Sequence, residues 1–372
     1  MAYELLERLV NTAGVPGREH RVRDLILGEL EGLVDSVRVD AMGSVIAVKG
    51  PTAGVFAGQS VDAGDAGGEP GKDRPTRVML ASHMDQIGFL VGHIDDKGFC
   101  YVNPVGGFDT RNLFSRMVTV CPDPDDPGKD LPAVMNPGGK PVHIASPEDR
   151  KKVPEVKEFV LDLGLAADEV KEKVNVGDMV VLRSDFDRLG PHLVGRAMDN
   201  RIACWLGVEA LRGMKDKPHA CTVCVVFTVQ EEVGLRGALT SAFAVRPDIG
   251  IGVDTTLAVD TPGVSAQESV TKLGGGAGIT IMDSSAIGDY GLIQQFTRLA
   301  EANKIPYQKS ILSRGGTDTA MVQRAAAGCR AMTLSLPTRY IHTVTEMIHT
   351  GDLDACRDLL VAFLGDVDQA TA

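Results

Sequence analysis

An apolar run that ends in two adjacent acidic residues constrains this chain more than any other feature. Residues 221–229 are mostly apolar, and Gln230 is followed by Glu231 and Glu232. The run is typical of a buried strand, and two carboxylates at its end are unfavourable unless a cation or a proton offsets their repulsion. Successive side chains of an extended segment point in different directions, so one acid could bind a metal while the other transfers protons. The alternative is a solvated acidic pair at the start of a loop.

Length and charge set the broad class of protein. The chain has 372 residues, which predicts one large domain with an insertion or two domains. Its 38 Lys and Arg against 50 Asp and Glu give a net charge of -12, which argues against a nucleic-acid or anionic-membrane partner. The first residues lack the basic and apolar regions of a signal peptide, and no stretch has the ~18 apolar residues of a membrane span. We therefore expect a cytoplasmic protein.

The seven cysteines are an odd number scattered through a large chain, which favours reduced thiols over a disulfide framework. Cys221 and Cys224 have the spacing of a redox or zinc motif. Both lie inside the apolar run, however, so we predict that they are buried and structural.

The remaining pattern is that of an α/β protein with an insertion. Apolar residues at helical spacing predict helices over 5–10 and 22–33, and residues 37–48 alternate around a turn in the manner of a hairpin. Residues 50–76 are rich in Gly, Asp, Ala and Pro and predict a mobile surface loop. Residues 93–192 consist of short strand-like runs, many turns and one helix over 167–174, which predicts a β-rich domain inserted into a larger one formed by 1–92 and 193–372.

Several polar side chains lie at or near the ends of predicted strands of the larger domain. They are His83, Asp199, Glu231, Glu232, Asp254 and His342. Ligands of open α/β sheets gather at the carboxyl edge of the strands, so these groups are expected to converge. Histidines and carboxylates suit two divalent ions of the zinc or cobalt kind, with a carboxylate between them. Taken singly, His83 could instead be a core histidine and Asp199 the N-cap of a helix.

Six segments together resemble metallopeptidase family forty-two, the tetrahedral (TET) aminopeptidases related to glutamyl aminopeptidases. They are Ser-His-Met-Asp-Gln-Ile-Gly at 82–88, Arg-Ala-Met-Asp-Asn-Arg at 196–201, Gln-Glu-Glu-Val-Gly at 230–234, Val-Asp-Thr at 253–255, Gly-Gly-Thr-Asp at 315–318 and Arg-Tyr-Ile-His-Thr at 339–343. The segments keep the order of the family, and the resemblance covers nearly the whole chain.

The resemblance implies a dinuclear aminopeptidase that hydrolyses the N-terminal bond of short peptides. It implies five metal ligands: His83 and Asp254 for one ion, Glu232 and His342 for the other, and Asp199 as the bridge. Glu231 would be the general base that activates a water between the metals, and Asp85 would orient His83. Zinc, cobalt and manganese are all compatible with these ligands.

The substrate pocket is less defined by the sequence. By resemblance, Gly316, Thr317 and Asp318 shape it, although the same residues could form an ordinary turn. A glutamyl-type enzyme needs a cation there, and Arg314 is the candidate. An acidic, an aliphatic and a broad preference for the first residue of the peptide all remain open.

The resemblance also implies a fold and an assembly. The catalytic domain would have the mixed sheet of the zinc peptidases, and the inserted domain would mediate dimers that build hollow tetrahedral dodecamers. The loop over 54–74 is longer than expected for the family and could line an entrance.

Two other classes of function are open. A glycoside hydrolase could use Glu231 and a second acid, but this leaves His83 and His342 without a role. A catalytically idle metal-binding or assembly protein would be expected to have lost the base, whereas Glu231 is present.

Overall fold

The computed structural model describes residues 3–59, 68–141 and 143–367. Its helices are α1 (Glu4–Asn11), α2 (His20–Glu29), α3 (Ala167–Lys173), α4 (Met198–Gly213), α5 (Arg236–Val245), α6 (Tyr290–Ala302), α7 (Thr319–Arg324) and α8 (Thr350–Asp366). Its strands are β1 (Ser36–Val39), β2 (Val45–Lys49), β3 (Arg77–His83), β4 (Gly88–Ile94), β5 (Cys100–Val105), β6 (Arg116–Cys121), β7 (Leu131–Pro137), β8 (Phe159–Asp162), β9 (Met179–Leu182), β10 (Asp187–Leu189), β11 (His192–Gly195), β12 (Thr222–Thr228), β13 (Ile249–Leu257), β14 (Ala277–Met282), β15 (Tyr307–Ile311), β16 (Arg330–Arg339) and β17 (Glu346–His349).

The apolar run of the sequence forms β12, an interior strand of a large mixed sheet. The strand order is β1-β2-β12-β3-β13-β16-β17-β11-β10, with β14 paired to β16 and β15 paired to β14. Strands β12, β3, β13 and β16 are mutually parallel, and the pairs at either end of this block are antiparallel. The predicted α/β class is therefore confirmed. Because these four strands are parallel, their carboxyl ends meet at one edge of the sheet.

Helices cover both faces of this sheet, so its central strands are buried along their whole length. In β12, Val223 and Val225 belong to the core beneath α1, α2, α4, α6 and α8, whereas Cys224 and Val226 belong to the core beneath α5 and α7. Each fully buried Val contributes roughly 1.5–3 kcal/mol relative to an exposed one. Cys221 and Cys224 are both buried, in different cores, and burial raises the pKa of Cys224 to about 12. Their predicted buried position is confirmed.

Between β3 and β10, the chain leaves the large sheet and forms a closed barrel of order β4-β5-β8-β7-β6-β9. The barrel has its own core, which includes Phe89, Val118 and Phe159. Val344 belongs to the same core, although it lies between β16 and β17 of the large sheet. The barrel therefore packs directly against the segment that follows β16.

The elements predicted at the start of the chain are present. Helices α1 and α2 are both present, although α2 ends at Glu29 and not at the predicted residue 33, and β1 and β2 are an antiparallel hairpin around residues 40–44. Within 50–76 the described residues form turns, and residues 60–67 of the predicted loop lie outside the described part of the chain. Across the three described ranges, no helix combines the length and the apolar character needed to cross a bilayer.

Candidate metal centre

Strand ends bring six of the predicted polar residues to one cavity of about 580 Å³ at the carboxyl edge of the parallel strands. They are His83, Asp199, Glu231, Glu232, Asp254 and His342. His83 is the last residue of β3, and the register pairs it with Thr228 at the end of the neighbouring β12. The four carboxylates have side chains that are no more than 10% exposed. The convergence expected of an open α/β sheet is thus observed.

One half of the cluster surrounds the imidazole of His83. Its Nε2 atom lies 3.3 Å from Oδ1 of Asp199, 3.8 Å from Oε2 of Glu231 and 3.9 Å from Oδ1 of Asp254. The other half surrounds His342, whose Nε2 atom lies 3.5 Å from Oδ2 of Asp199 and 3.4 Å from Oε2 of Glu232. Asp199 therefore directs one carboxylate oxygen to each histidine.

The first turn of α4 is irregular at Asp199, which faces the cavity. Asp199 and Asn200 have non-helical backbone angles. Asn200 Oδ1 accepts a hydrogen bond from the backbone N–H of Ala203, so Asn200 makes the capping contact that Asp199 could have made. The carboxylate of Asp199 is left to the two histidines.

The side chains of the two adjacent acids point to different histidines because the backbone turns sharply before them. Gln230 has a φ of 57°, a left-handed conformation that is uncommon for a residue other than glycine. As a result, Glu231 reaches the histidine at the end of β3 and Glu232 reaches His342. The sequence predicted different roles for the pair, and their positions differ accordingly.

Burial makes it unfavourable for all four carboxylates of the cluster to be charged at the same time. Burial raises the pKa of both Glu231 and Asp254 well above the usual range, and the nearby charge of His83 only partly opposes this. Burial would also raise the pKa of Asp199, but hydrogen bonds from both histidines lower it. Burial lowers the pKa of His342, whereas contact with Asp199 and Glu232 raises it to about 11.

These residues fit divalent cations. Atoms of His83, Asp199 and Glu232 lie within 4.8 Å of one another, and so do atoms of His83, Glu231 and Asp254. Among the described residues, Oε1 of Glu232 is buried without a hydrogen-bond partner, which is costly for a carboxylate oxygen unless a cation lies nearby. Imidazole nitrogens with carboxylate oxygens are ligands for zinc, cobalt or manganese.

Asp85 lies behind His83 and makes two kinds of contact. Its backbone carbonyl accepts a hydrogen bond from Nδ1 of His83 at 3.0 Å, whereas its carboxylate is 3.6 Å from that atom. With Nδ1 protonated, Nε2 is left as the atom that faces the cavity. The carboxylate accepts the backbone N–H groups of Glu231 and Glu232, each at 3.0 Å. Asp85 thus contacts His83 mainly through its backbone and the acidic pair through its side chain.

The sequence did not reveal Glu346, which supports both halves of the cluster. Its Oε2 atom accepts the backbone N–H of Asp199 at 3.0 Å, and Oε1 accepts that of His342 at 2.7 Å. Glu346 begins β17 and is buried, like the apolar Ile348 two residues later. An acid on the buried face of a strand was the signal that could have identified it.

Three of the four residues predicted for substrate binding line the cavity, and the fourth does not. Arg314, Gly316 and Thr317 line the cavity, together with an apolar wall of Leu235, Leu257, Leu312 and Ile341. Asp318 is buried and does not line the cavity, and its carboxylate accepts a hydrogen bond from the hydroxyl of Thr228. The described ends of the 54–74 loop lie at the opposite edge of the sheet, since Arg74 forms an ion pair with Asp248, just before β13. These ends do not line the cavity.

Comparison with known proteins identifies the family of the chain. Residues 66–359 match the family described as M42 glutamyl aminopeptidase. A putative aminopeptidase of Acetivibrio thermocellus is 33% identical over 360 residues, 96% of this chain and 97% of the relative. The crystal structure of a TET aminopeptidase from Thaumarchaeota archaeon SCGC AB-539-E09 is 32% identical, with a TM-score of 0.88 over 100% of this chain and 97% of that one. The Pyrococcus horikoshii TET1 peptidase, which can assemble into a tetrahedron or a large octahedral shell, is 29% identical, with a TM-score of 0.81 over 98% and 99%.

Replacing Glu346 by Gln tests its support of the cluster. The amide presents an oxygen to only one of the two N–H groups, so the segments of Asp199 and His342 should no longer be held together. We expect the affinity for Zn²⁺ or Co²⁺ to fall by roughly 10–100-fold, measured by titration against a competing chelator. Asp352→Asn is the control, because Asp352 is also a buried carboxylate that accepts two backbone N–H groups, from Gly274 and Gly276, outside the cavity. An unchanged metal affinity in the Glu346 variant would contradict the assignment.

Proposed function

Because the chain belongs to the M42 glutamyl aminopeptidase family, we propose that it is a metal-dependent aminopeptidase that releases the N-terminal residue of short peptides. The observation that carries the proposal is the position of Asp199, with one oxygen toward His83 and the other toward His342. A carboxylate in this position suits a bridge between two ions. We propose a cytoplasmic location, because all seven cysteines are free thiols, which a reducing compartment favours.

Five residues are proposed to hold the two ions. His83 and Asp254 would bind one, Glu232 and His342 the other, and Asp199 both. Two divalent ions there would supply Lewis acidity, which polarises a peptide carbonyl and makes water more acidic. The support for this division is that Glu232 approaches His342, whereas Asp254 approaches His83.

Glu231 is proposed as the general base. Burial raises the pKa of its carboxyl group, which suits a residue that must accept a proton near neutral pH. In this role Glu231 takes the proton of the attacking water and passes it to the nitrogen of the leaving amine. Asp85 fixes the backbone of Glu231 by accepting its N–H group. Asp85 would therefore position both His83 and the base.

The cavity wall suggests how the first side chain of a peptide is held. Leu235, Leu257, Leu312 and Ile341 offer an apolar surface, and Arg314 is the exposed cation among the lining residues. We propose that Arg314 contacts an acidic side chain, while Gly316 and Thr317 form the floor of the pocket. Asp318 would act from below through its hydrogen bond with Thr228 rather than by touching the peptide.

A substrate panel tests the function. We expect hydrolysis of aminoacyl anilides, loss of activity with a chelator and recovery with Zn²⁺ or Co²⁺, because the cluster depends on cations. Glutamyl anilide should be cleaved faster than lysyl anilide, and Arg314→Ala should reduce that ratio. Soluble cellulose is the contrasting substrate. Cleavage of cellulose that resists chelation would support a glycoside hydrolase, and full peptidase activity in metal-free protein would overturn metal dependence.

Conservative replacements of the adjacent acids separate their roles. Glu231→Gln retains the shape but removes the base, so metal content should persist while kcat falls by roughly 10²–10⁴-fold. Glu232→Gln should instead lower the occupancy of one ion. Elemental analysis and steady-state kinetics on both variants would reveal the reverse pattern if the roles are exchanged.

The barrel is proposed to mediate assembly. We assign the barrel, β4 to β9 (88–182), to an inserted dimerisation domain and the segments on either side to the catalytic domain. The limits predicted from the sequence, 93–192, divide the barrel strand β4 and include β10, which pairs within the large sheet. On the barrel, Met117 and Val134 are cross-strand partners with exposures of 45% and 42%, and Phe114 is 42% exposed. Such an apolar patch is typical of a contact surface. We propose that dimers formed here build a dodecameric shell like those of the TET relatives, with metal loss favouring the smaller form.

Met117→Glu tests the assembly. A charge at the centre of the patch should dissociate the larger particle, because a carboxylate is costly to bury in an apolar contact. Light scattering on metal-replete protein should give a dodecamer for the unaltered chain and a smaller species for the variant. Val37→Glu, on the outer strand β1 of the large sheet, is the control and should retain the dodecamer, because Val37 is exposed outside the barrel. A monomer at every micromolar concentration of the unaltered chain would refute the assembly.

A further inference from the structure

Three consecutive backbone N–H groups of the turn after β12 point at buried carboxylates. Those of Glu231 and Glu232 are accepted by Asp85. The N–H of Gln230 is accepted by Oε1 of Glu19 at 3.0 Å. Consecutive N–H groups around a left-handed residue form a concave site for an anion, and here side chains of the chain itself fill it.

Glu19 makes this contact instead of the one expected from its place in the sequence. It immediately precedes α2, at the position from which a polar side chain can accept N–H groups of the first turn of its own helix. Its side chain makes no such capping bond. The same Oε1 atom accepts the N–H of Gly17 at 2.8 Å and that of Gln230, 211 residues away. Glu19 is 5% exposed, and it lies outside the 66–359 segment that matches the family.

The segment before Glu19 is held firmly against the rest of the catalytic region. The guanidinium of Arg201 donates hydrogen bonds to the carbonyl groups of Leu9, Thr12 and Gly14. A Cβ at Gly14 would lie 3.5 Å from Cα of Glu19 and 3.2 Å from Nη2 of Arg201, so the chain is closely packed here. Glu19 is therefore a fixed acceptor, not a mobile side chain at a helix end.

The turn needs such an acceptor. A non-glycine residue in a left-handed conformation costs about 1–3 kcal/mol and persists only when its surroundings hold it. Gln230 has this conformation and directly precedes the proposed base. A displacement of about 1 Å at a catalytic group can reduce a rate by ~10²-fold. The position of Glu231 thus depends on what holds Gln230.

We propose that Glu19 is a positioning residue for the base Glu231, acting through the backbone N–H of Gln230. The inference rests on the proposed peptidase function. Glu19 does not face the metal ligands, and Asp85 retains the N–H groups of Glu231 and Glu232 when Glu19 is altered. Loss of Glu19 therefore lowers kcat, while KM and metal content stay near those of the unaltered chain.

Three replacements of Glu19 test the proposal on the metal-replete enzyme. Glu19→Gln keeps an oxygen at the same distance and should retain kcat within about 3-fold. Glu19→Asp keeps the charge but withdraws the oxygen by about one bond, and Glu19→Ala removes it; both should lower kcat by about 10–100-fold with KM within about 3-fold. A requirement for negative charge alone would give the opposite order of the Gln and Asp variants.

The controls separate failure of this inference from failure of the proposed function. Asp352→Ala removes a buried carboxylate that also accepts two backbone N–H groups, and it should lower stability but not kcat. An inactive unaltered chain, or an active Glu231→Gln, would overturn the function itself. If both of those controls behave as expected, a Glu19→Asp kcat equal to or above that of Glu19→Gln would overturn the role of Glu19. That comparison decides the matter even if Glu19→Ala does not fold.

Discussion

Four carboxylates and two imidazoles lie together at one edge of a sheet whose interior is apolar, and the rest of the structure has to accommodate them. Asp199, Glu231, Glu232 and Asp254 are largely removed from water, and burial raises the pKa of three of them. Such a group of acids is destabilising by itself. Cations in the proposed metal site would offset this repulsion and would link the stability of this edge to metal binding.

Further carboxylates, which do not face the cavity, hold the segments that carry the proposed metal ligands. Glu19, Asp85 and Glu346 together accept the backbone N–H groups of Gln230, Glu231, Glu232, Asp199 and His342. Each contact is to a backbone group, so the support fixes the path of the chain and leaves the side-chain oxygens of the ligands available. This arrangement also explains how a left-handed residue can persist at the end of β12.

The barrel contributes to the site as well as to the proposed assembly. Val344, two residues after His342, packs in the core of the barrel. A Cβ at Gly107, in the barrel segment, would lie 3.7 Å from Nδ1 of His342, an ordinary contact distance, so this segment adjoins the imidazole. The barrel therefore helps to place one histidine of the cluster. In the proposed shell, contacts between barrels would lie on the same structural unit that supports His342.

The sequence by itself determined the fold class, the central strand, the identity of the polar residues that converge and the family. These properties follow from local patterns, because an apolar run that ends in an acid or a histidine is visible in a few consecutive residues. Only the tertiary structure decided how the residues are supported. The contacts of Glu19 with Gln230 and of Glu346 with Asp199 cross 211 and 147 residues, and side-chain to backbone bonds require no particular partner residue. Such bonds leave no pattern in a sequence. The tertiary structure likewise placed the described ends of the 54–74 loop away from the cavity, because strand direction, not composition, decides which edge of a sheet a loop joins.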